Sequence, residues 1–304
     1  TDVEDSFLEN YMLPESFEFI PDGMLPMCYP SDHNDGVFIP NWAMWFVMQL
    51  DEYSRRTPDD RIVKGMRKKV EKLLKFFEGY ENSDGLLEKL PSWVFIEWSR
   101  SSDFMQDVNY PSNMMYAGIL DVAGRLYGVE AWVKKASTVR ATIVEQSYNG
   151  KFFVDHAVRQ EDGTLKVLED CTEVCQYFAF FFKTATPESH PELYSTLLNE
   201  FGPYRLDKGL YPSIHKANAF VGNVVRLEIL STANRGDQLL EECVAYNEYM
   251  ADQTGTLWEN DGAYASCDHG FASHIERVFY RDVLGIASVD ESARKITIRI
   301  PKID

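Results

Sequence analysis

Apolar residues recur along this chain at helical intervals, and the links between the helices they define alternate short with long. Ile62, Met66, Val70, Leu73 and Phe77 are spaced 4, 4, 3 and 4 residues apart. Met115, Ile119, Val122 and Leu126 follow at 4, 3 and 4, and Leu239, Cys243, Tyr246 and Met250 repeat that rhythm. Each set falls on one face of a helix, as the apolar stripe of an amphipathic segment does. The spacing predicts helices near 40–56, 61–80, 111–127, 130–147, 170–185, 189–201, 216–233, 237–252 and 268–284, with another near 5–12.

The links sort these helices into pairs. Within a pair they are Thr57-Pro58-Asp59-Asp60, Gly128-Val129, Thr186-Pro187-Glu188 and Asn234-Arg235-Gly236. Links this short force antiparallel neighbours. Between pairs the links run over 81–110, 148–169, 202–215 and 253–267. Long loops that recur at one point of a repeating unit emerge at one end of the assembly, where a site is built. Hairpins of this kind close naturally into an all-α (α/α)₆ toroid. Four to five pairs are countable, so the toroid is expected over 1–286 and incomplete at its N-terminus. Lys295 to Ile300 alternates with period 2, a strand signature, after Gly285 and ahead of Pro301. Residues 287–304 therefore read as the first strand of a C-terminal β-domain, or as a strand that pairs with another short β-element.

Composition narrows the partners. With 30 Lys plus Arg against 48 Asp plus Glu, the formal charge of −18 repels phosphate backbones and argues against nucleic acid. No apolar run approaches the length of a membrane span, so no membrane partner is expected. The aromatic content, 13%, is heavy for a helical protein and suggests a lined groove. Cys28, Cys171, Cys175, Cys243 and Cys267 are an odd, sparse set, not a disulfide framework. Cys171 and Cys175, one helical turn apart, read as packed thiols. The chain opens at Thr1 without a Met, so its start reads as a processing boundary. Compartment and oligomeric state stay open, the free thiols leaning toward the cytoplasm.

The richest chemistry lies in Gly255-Thr256-Leu257-Trp258-Glu259-Asn260, followed by Asp268-His269-Gly270-Phe271. A carboxylate beside a Trp face suits a sugar: the ring covers the apolar face of the pyranose and the carboxylate handles hydroxyls or activates water. The other long loops bring Trp93, Glu97 and Trp98, then Phe152, Phe153 and His156, then Tyr211 and His215. Acids and aromatics thus collect on one rim.

Four blocks stand in order along nearly the whole chain. They are Asp22-Gly23-Met24-Leu25-Pro26 with Tyr29-Pro30 and Ile39-Pro40-Asn41-Trp42; Trp93-Val94-Phe95-Ile96-Glu97-Trp98 with Asn113; Gly255-Thr256-Leu257-Trp258-Glu259; and His269 with Arg281 and Gly285-Ile286. As an ordered set they resemble the catalytic barrel of the bacterial α-L-rhamnosidases, glycoside hydrolase family 78. The resemblance implies an (α/α)₆ barrel flanked by β-domains. It also implies inverting chemistry between two carboxylates about 6.5–9.5 Å apart, with Glu259 in the place of the general base. The family's general acid lies in an Asp/Arg/Glu-rich motif ahead of the first block. Residues 1–21 contain no such motif, so the chain is expected to be a fragment that is inactive alone.

Each candidate has a plain alternative. Glu259 is the base, or a solvated or capping loop residue. His269 donates to a sugar hydroxyl, or bonds a nearby carbonyl. Trp98 is a stacking platform, or core beneath its loop. Glu97 and Trp258 contact substrate, or serve an ion pair and the core. Trp42 and Trp45, three apart, line the pocket or form ordinary core. His269 and His274 do not share a helix face, and neither a metal nor a cofactor is expected. The expected substrate is a carbohydrate carrying terminal α-L-rhamnose or a related sugar. Alternatives are another (α/α)₆ carbohydrate enzyme, such as an unsaturated-uronide hydrolase, or a non-catalytic carbohydrate-binding or scaffold module.

Overall fold

Helices form where the apolar stripes fall, and their contacts gather them into two units. The computed structural model describes residues 2–29, 35–290 and 294–300. Pro30 of the first block and Pro301 of the tail lie outside them.

The first unit comprises Thr1–Phe95, Met105–Gln146 and His156–Val167. It holds α1 (Asp2–Met12), α2 (Pro40–Arg56), α3 (Arg61–Glu78), α4 (Tyr110–Tyr127) and α5 (Glu130–Ser147). The stripe Ile62, Met66, Val70, Leu73 and Phe77 is buried along α3 as its spacing predicts. Helix α4 packs against both α2 and α3 and is apolar nearly all round, so it sits inside the unit. Asn109 Oδ1 caps it by accepting from the Ser112 amide at 2.8 Å, and Gly128 in the left-handed region ends it. A small antiparallel sheet runs β1 (Val108–Asn109), β2 (His156–Arg159), β3 (Leu165–Val167), with Val108 and Val167 on either side of Ala157. Gly23 explains the Asp22 to Pro26 block. Its φ is 88°, and a Cβ there would meet the Lys72 carbonyl oxygen at 2.5 Å, so only glycine lets the segment lie on α3.

The second unit comprises Ile96–Phe104, Ser147–Asp155 and Leu168–Asp304. It holds α6 (Glu173–Phe181), α7 (Pro191–Glu200), α8 (Gly222–Thr232), α9 (Gly236–Thr254) and α10 (His274–Val278). Helix α8 packs on α6 and α9. A buried ion pair, Arg226 to Glu242 at 2.8 Å, ties α8 to α9. Strands β4 (Cys171–Thr172) and β5 (Ile214–His215) pair in parallel. Strands β6 (Ile286–Asp290) and β7 (Lys295–Ile298) form an antiparallel hairpin.

These strands correct the all-α expectation: the chain is α-rich with several small sheets. The tail strand pairs with β6, the second of its two sequence readings. Two predicted helices start late. The 170–185 helix begins at Glu173 because Cys171 and Thr172 pair with β5, and Asp155 takes the Thr172 amide at 2.7 Å. The 216–233 helix begins at Gly222 because the amides of Ala217 and Asn218 go to buried carboxylates instead of a helical ladder. The 268–284 helix is broken into a 3₁₀ turn over Gly270–Ser273, α10, and a π-helical segment over Phe279–Val283.

Candidate functional site

The segment after α9 folds back on itself. Its turn is closed by Glu259 N donating to Ser266 O at 2.9 Å and by His269 N donating to Leu257 O at 3.0 Å. Gly255 makes the turn possible by ending α9 in the left-handed region. Trp258 anchors the loop. It is 4% exposed, its indole Nε1 donates to Thr254 Oγ1 at 2.8 Å, and its ring meets Tyr249 edge-on. Its apolar surface is spent on the core, and it fixes its neighbour in place.

That neighbour is Glu259, half-buried at the surface. Its Oε1 accepts from the Trp98 indole Nε1 at 2.9 Å and its Oε2 accepts from the Ser266 amide at 3.2 Å. Each carboxylate oxygen is thus oriented by one accepted hydrogen bond. Trp98 and Glu259 stand 161 residues apart in sequence, so their pairing is the work of the fold.

Glu97, beside Trp98, is placed in the interior. It is 0% exposed and faces inward. Its Oε2 accepts from the Gly222 amide at 2.7 Å and its Oε1 from the Asn218 amide at 3.1 Å. Burial pushes its carboxyl up to about 8 against the lowering effect of Ser99 and these amides, with Glu173 adding to the rise. Asn218 passes its order outward, donating from Nδ2 to the Trp98 carbonyl at 2.6 Å and to Asp261 Oδ1 at 3.1 Å.

His269 caps the 3₁₀ turn, its Nδ1 accepting from the Phe271 amide at 3.2 Å, and its ring packs edge-on against Phe220 at 5.2 Å. With Nδ1 accepting, the neutral tautomer carries its proton on Nε2. Trp42 and Trp45 belong to α2 of the first unit, both half-buried, Trp42 stacked on Phe95 at 6.3 Å.

A pocket of about 450 Å³ opens beside Trp98 in the second unit, within the size range of small-molecule sites. Arg100, Lys216, Asn218, Asp261 and Tyr264 share its wall with Trp98. None of these five stands out in the sequence as a site residue. Lys216 and Asn218 fall inside a stretch patterned like a helix, and Asp261-Gly262 reads only as a turn. Pro212 was the available signal that the 211–221 stretch is loop. Among the described residues no group of three His, Cys, Asp or Glu side chains is placed to hold a metal ion, and no helix is long and apolar enough to cross a membrane.

No protein-family model matches the chain, and no curated protein does. A solved structure of the glycoside hydrolase family 78 rhamnosidase of Bacillus sp. GL1 is similar in fold, with a TM-score of 0.69 at 15% identity. The likeness covers 84% of this chain and 28% of that one, so the chain spans about 28% of the neighbour's length. The fold is thus similar to that of a glycoside hydrolase.

Proposed function

We propose that the chain is the helical catalytic part of an inverting glycoside hydrolase that releases terminal α-L-rhamnose or a close relative, on an (α/α)₆ toroid of hairpins. The observation that carries this is Glu259, a surface carboxylate held by an indole N–H and a backbone amide beside an aromatic-walled pocket. The fold likeness and the ordered sequence blocks support the same reading. In an inverting reaction one carboxylate takes a proton from water while a second carboxyl, about 6.5–9.5 Å away, protonates the leaving oxygen. Glu259 takes the first role. Trp98 keeps its carboxylate aimed, and His269 serves as a donor to sugar hydroxyls from Nε2.

The test is Glu259→Gln in the full-length native protein. The side chain keeps its shape and loses its basicity, so kcat on an aryl α-L-rhamnoside should fall roughly 10²–10⁴-fold while KM holds. Proton NMR of the first product should show the inverted anomer. Near-normal turnover, or retained configuration, rejects the assignment.

A further inference from the structure

We propose that Asn218 is a positioning residue, a staple that holds the backbones of Trp98 and the Glu259 loop together and so aims the Glu259 carboxylate. Its use in catalysis rests on the glycosidase reading; the staple itself does not. Asn218 lies between β5 and α8 and is 5% exposed. A side-chain amide offers two donors and an oxygen with two lone pairs, and here all of them are used. Nδ2 donates to the Trp98 carbonyl at 2.6 Å and to Asp261 Oδ1 at 3.1 Å. Oδ1 accepts from the Ala219 amide at 2.6 Å and from the Asp261 amide at 2.9 Å. A carbonyl on one side and a backbone N–H on the other admit only this orientation of the amide. The backbone of Asn218 is engaged as well, its N–H donating to Glu97 Oε1 at 3.1 Å and its carbonyl accepting from the Asn223 amide at 3.0 Å.

These bonds close a ring through the site. From Asn218 it runs to the Trp98 backbone, out along the indole to Glu259 Oε1 at 2.9 Å, down the chain to Asp261, and back to Asn218. All of its members belong to the second unit. The Trp98 and Glu259 side chains turn about their own bonds, so the hydrogen bond between them fixes a direction only while their backbones keep a set separation. Asn218 bonds one backbone at Trp98 itself and the other just past Glu259, at Asp261. A buried amide with a purely local role bonds its sequence neighbours, as Oδ1 does with Ala219. The other three side-chain bonds of Asn218 reach residues 120 and 43 positions away. They join the two segments that carry the carboxylate and its indole donor. A displacement of about 1 Å at such a group is enough to cost roughly 10²-fold in rate.

The test reads the Trp98 indole N–H directly, by TROSY NMR of the full-length native protein labelled with nitrogen-15 tryptophan, the signal being assigned with Trp98→Phe. Glu259→Gln sets the scale: a bond to a neutral acceptor is weaker than one to a carboxylate, so the indole proton should move upfield. Asn218→Ala should move it the same way. The Trp258 indole, bonded to Thr254 at 2.8 Å in the same loop, should keep its position. Asp261→Ala removes only the Oδ1 arm of the staple, at a side chain 32% exposed, so it should fold as the parent does and give a smaller shift of the same sign. On an aryl α-L-rhamnoside, kcat of Asn218→Ala should fall roughly 10²-fold, further than KM rises. A Trp98 signal unmoved in Asn218→Ala overturns the proposal. So do Trp98 and Trp258 signals that shift together, since the loop as a whole is then what Asn218 holds. If Asn218→Ala does not fold, the Trp98 signal of Asp261→Ala decides by the same criteria. A shifted Trp98 signal with unchanged kcat, where Glu259→Gln is inactive, removes the role in aiming. Near-normal turnover of Glu259→Gln sinks the glycosidase reading, and a Trp98 shift in Asn218→Ala then upholds the staple alone.

Discussion

Gly222 shows how closely single residues set this site. A Cβ at that position would lie 2.8 Å from Glu97 Oε2 and 2.5 Å from the Ala217 side chain. The missing side chain is what lets the buried carboxyl reach the first amide of α8 as well as that of Asn218. Gly222→Ala must therefore push Glu97 and the Ala217 to Asn218 backbone apart. Overpacking of this kind costs roughly 1–3 kcal/mol, so the urea midpoint should drop accordingly. Because Asn218 bonds both the Trp98 carbonyl and Asp261, the proposed glycosidase reading adds that sugar affinity should fall too, by more than a stability loss alone predicts in a protein still fully folded. Unchanged affinity in the folded variant would dissociate Glu97 from the pocket. The sequence displayed Trp98 and Glu259 plainly, because a loop Trp and a loop Glu in aromatic surroundings are conspicuous. It did not display that Trp258 and Glu97 point inward. Which side of a loop is covered depends on packing partners such as Tyr249, and on partners 121 and 125 residues away for Glu97.

The elements are organised by a device found in each unit. On α4, Asn113 Oδ1 accepts from the Leu87 amide at 2.6 Å, and its Nδ2 donates to the carbonyls of Leu87 at 3.0 Å and Asn109 at 2.9 Å. On α6, Gln176 does the same to Phe153, at 2.8 and 2.7 Å, and to the Thr172 carbonyl at 3.0 Å. In both, the amide side chain stands four residues after the N-cap and clamps a turn that carries an isolated bridge, Glu81 to Leu87 or Tyr148 to Phe153. The clamp holds a long loop against the helix that follows it. Gln176→Leu keeps the bulk and leaves the Phe153 amide and carbonyl buried without partners. Each group left so costs about 1–3 kcal/mol. Hydrogen exchange at Phe153 should accelerate by at least the matching factor while α9 amides keep their protection; unaltered exchange would show that the clamp holds nothing. Helix positions were legible because 3.6-residue periodicity is local: α2 and α5 begin and end at the bounds expected from the sequence, 40–56 and 130–147. The two-residue strands β1, β4 and β5, by contrast, are set by partners far along the chain and are too short to leave a period to read. Helix starts failed where buried carboxylates competed for the first amides, as at α8.

At the scale of the whole molecule, stability should depend on pH in a direction that the buried acids dictate. Burial raises the carboxyls of Glu97 and Asp155 to about 8, although Thr172 bonds to Asp155 pull the other way. In the unfolded chain both ionise at ordinary carboxyl values, near 4. Between those values and about pH 8 the folded state holds protons that the unfolded state has released. The slope of stability against pH is then negative. The contribution of these two groups is complete in acid, declines as pH rises from about 4.5, and levels off beyond about 8. Each proton of difference is worth at most about 1.4 kcal/mol per pH unit. Glu228 works in the opposite sense at the acid end. Burial opposes its ionisation, but His274 and Arg281 outweigh that and hold it at about 2, so its contribution fades only below the ordinary carboxyl range. The net charge of −18 adds self-repulsion at neutral pH, which runs the same way as the buried pair. Salt separates the two causes. About 0.5 M NaCl screens surface repulsion and leaves buried carboxyls untouched. Urea midpoints should therefore fall between pH 5.5 and 8.5 even in high salt. Glu97→Gln, an uncharged isostere of the protonated acid, should flatten part of that decline, and Asp155→Asn another part. A profile that salt alone levels would assign the pH dependence to the surface and leave both buried carboxyls without a stability role.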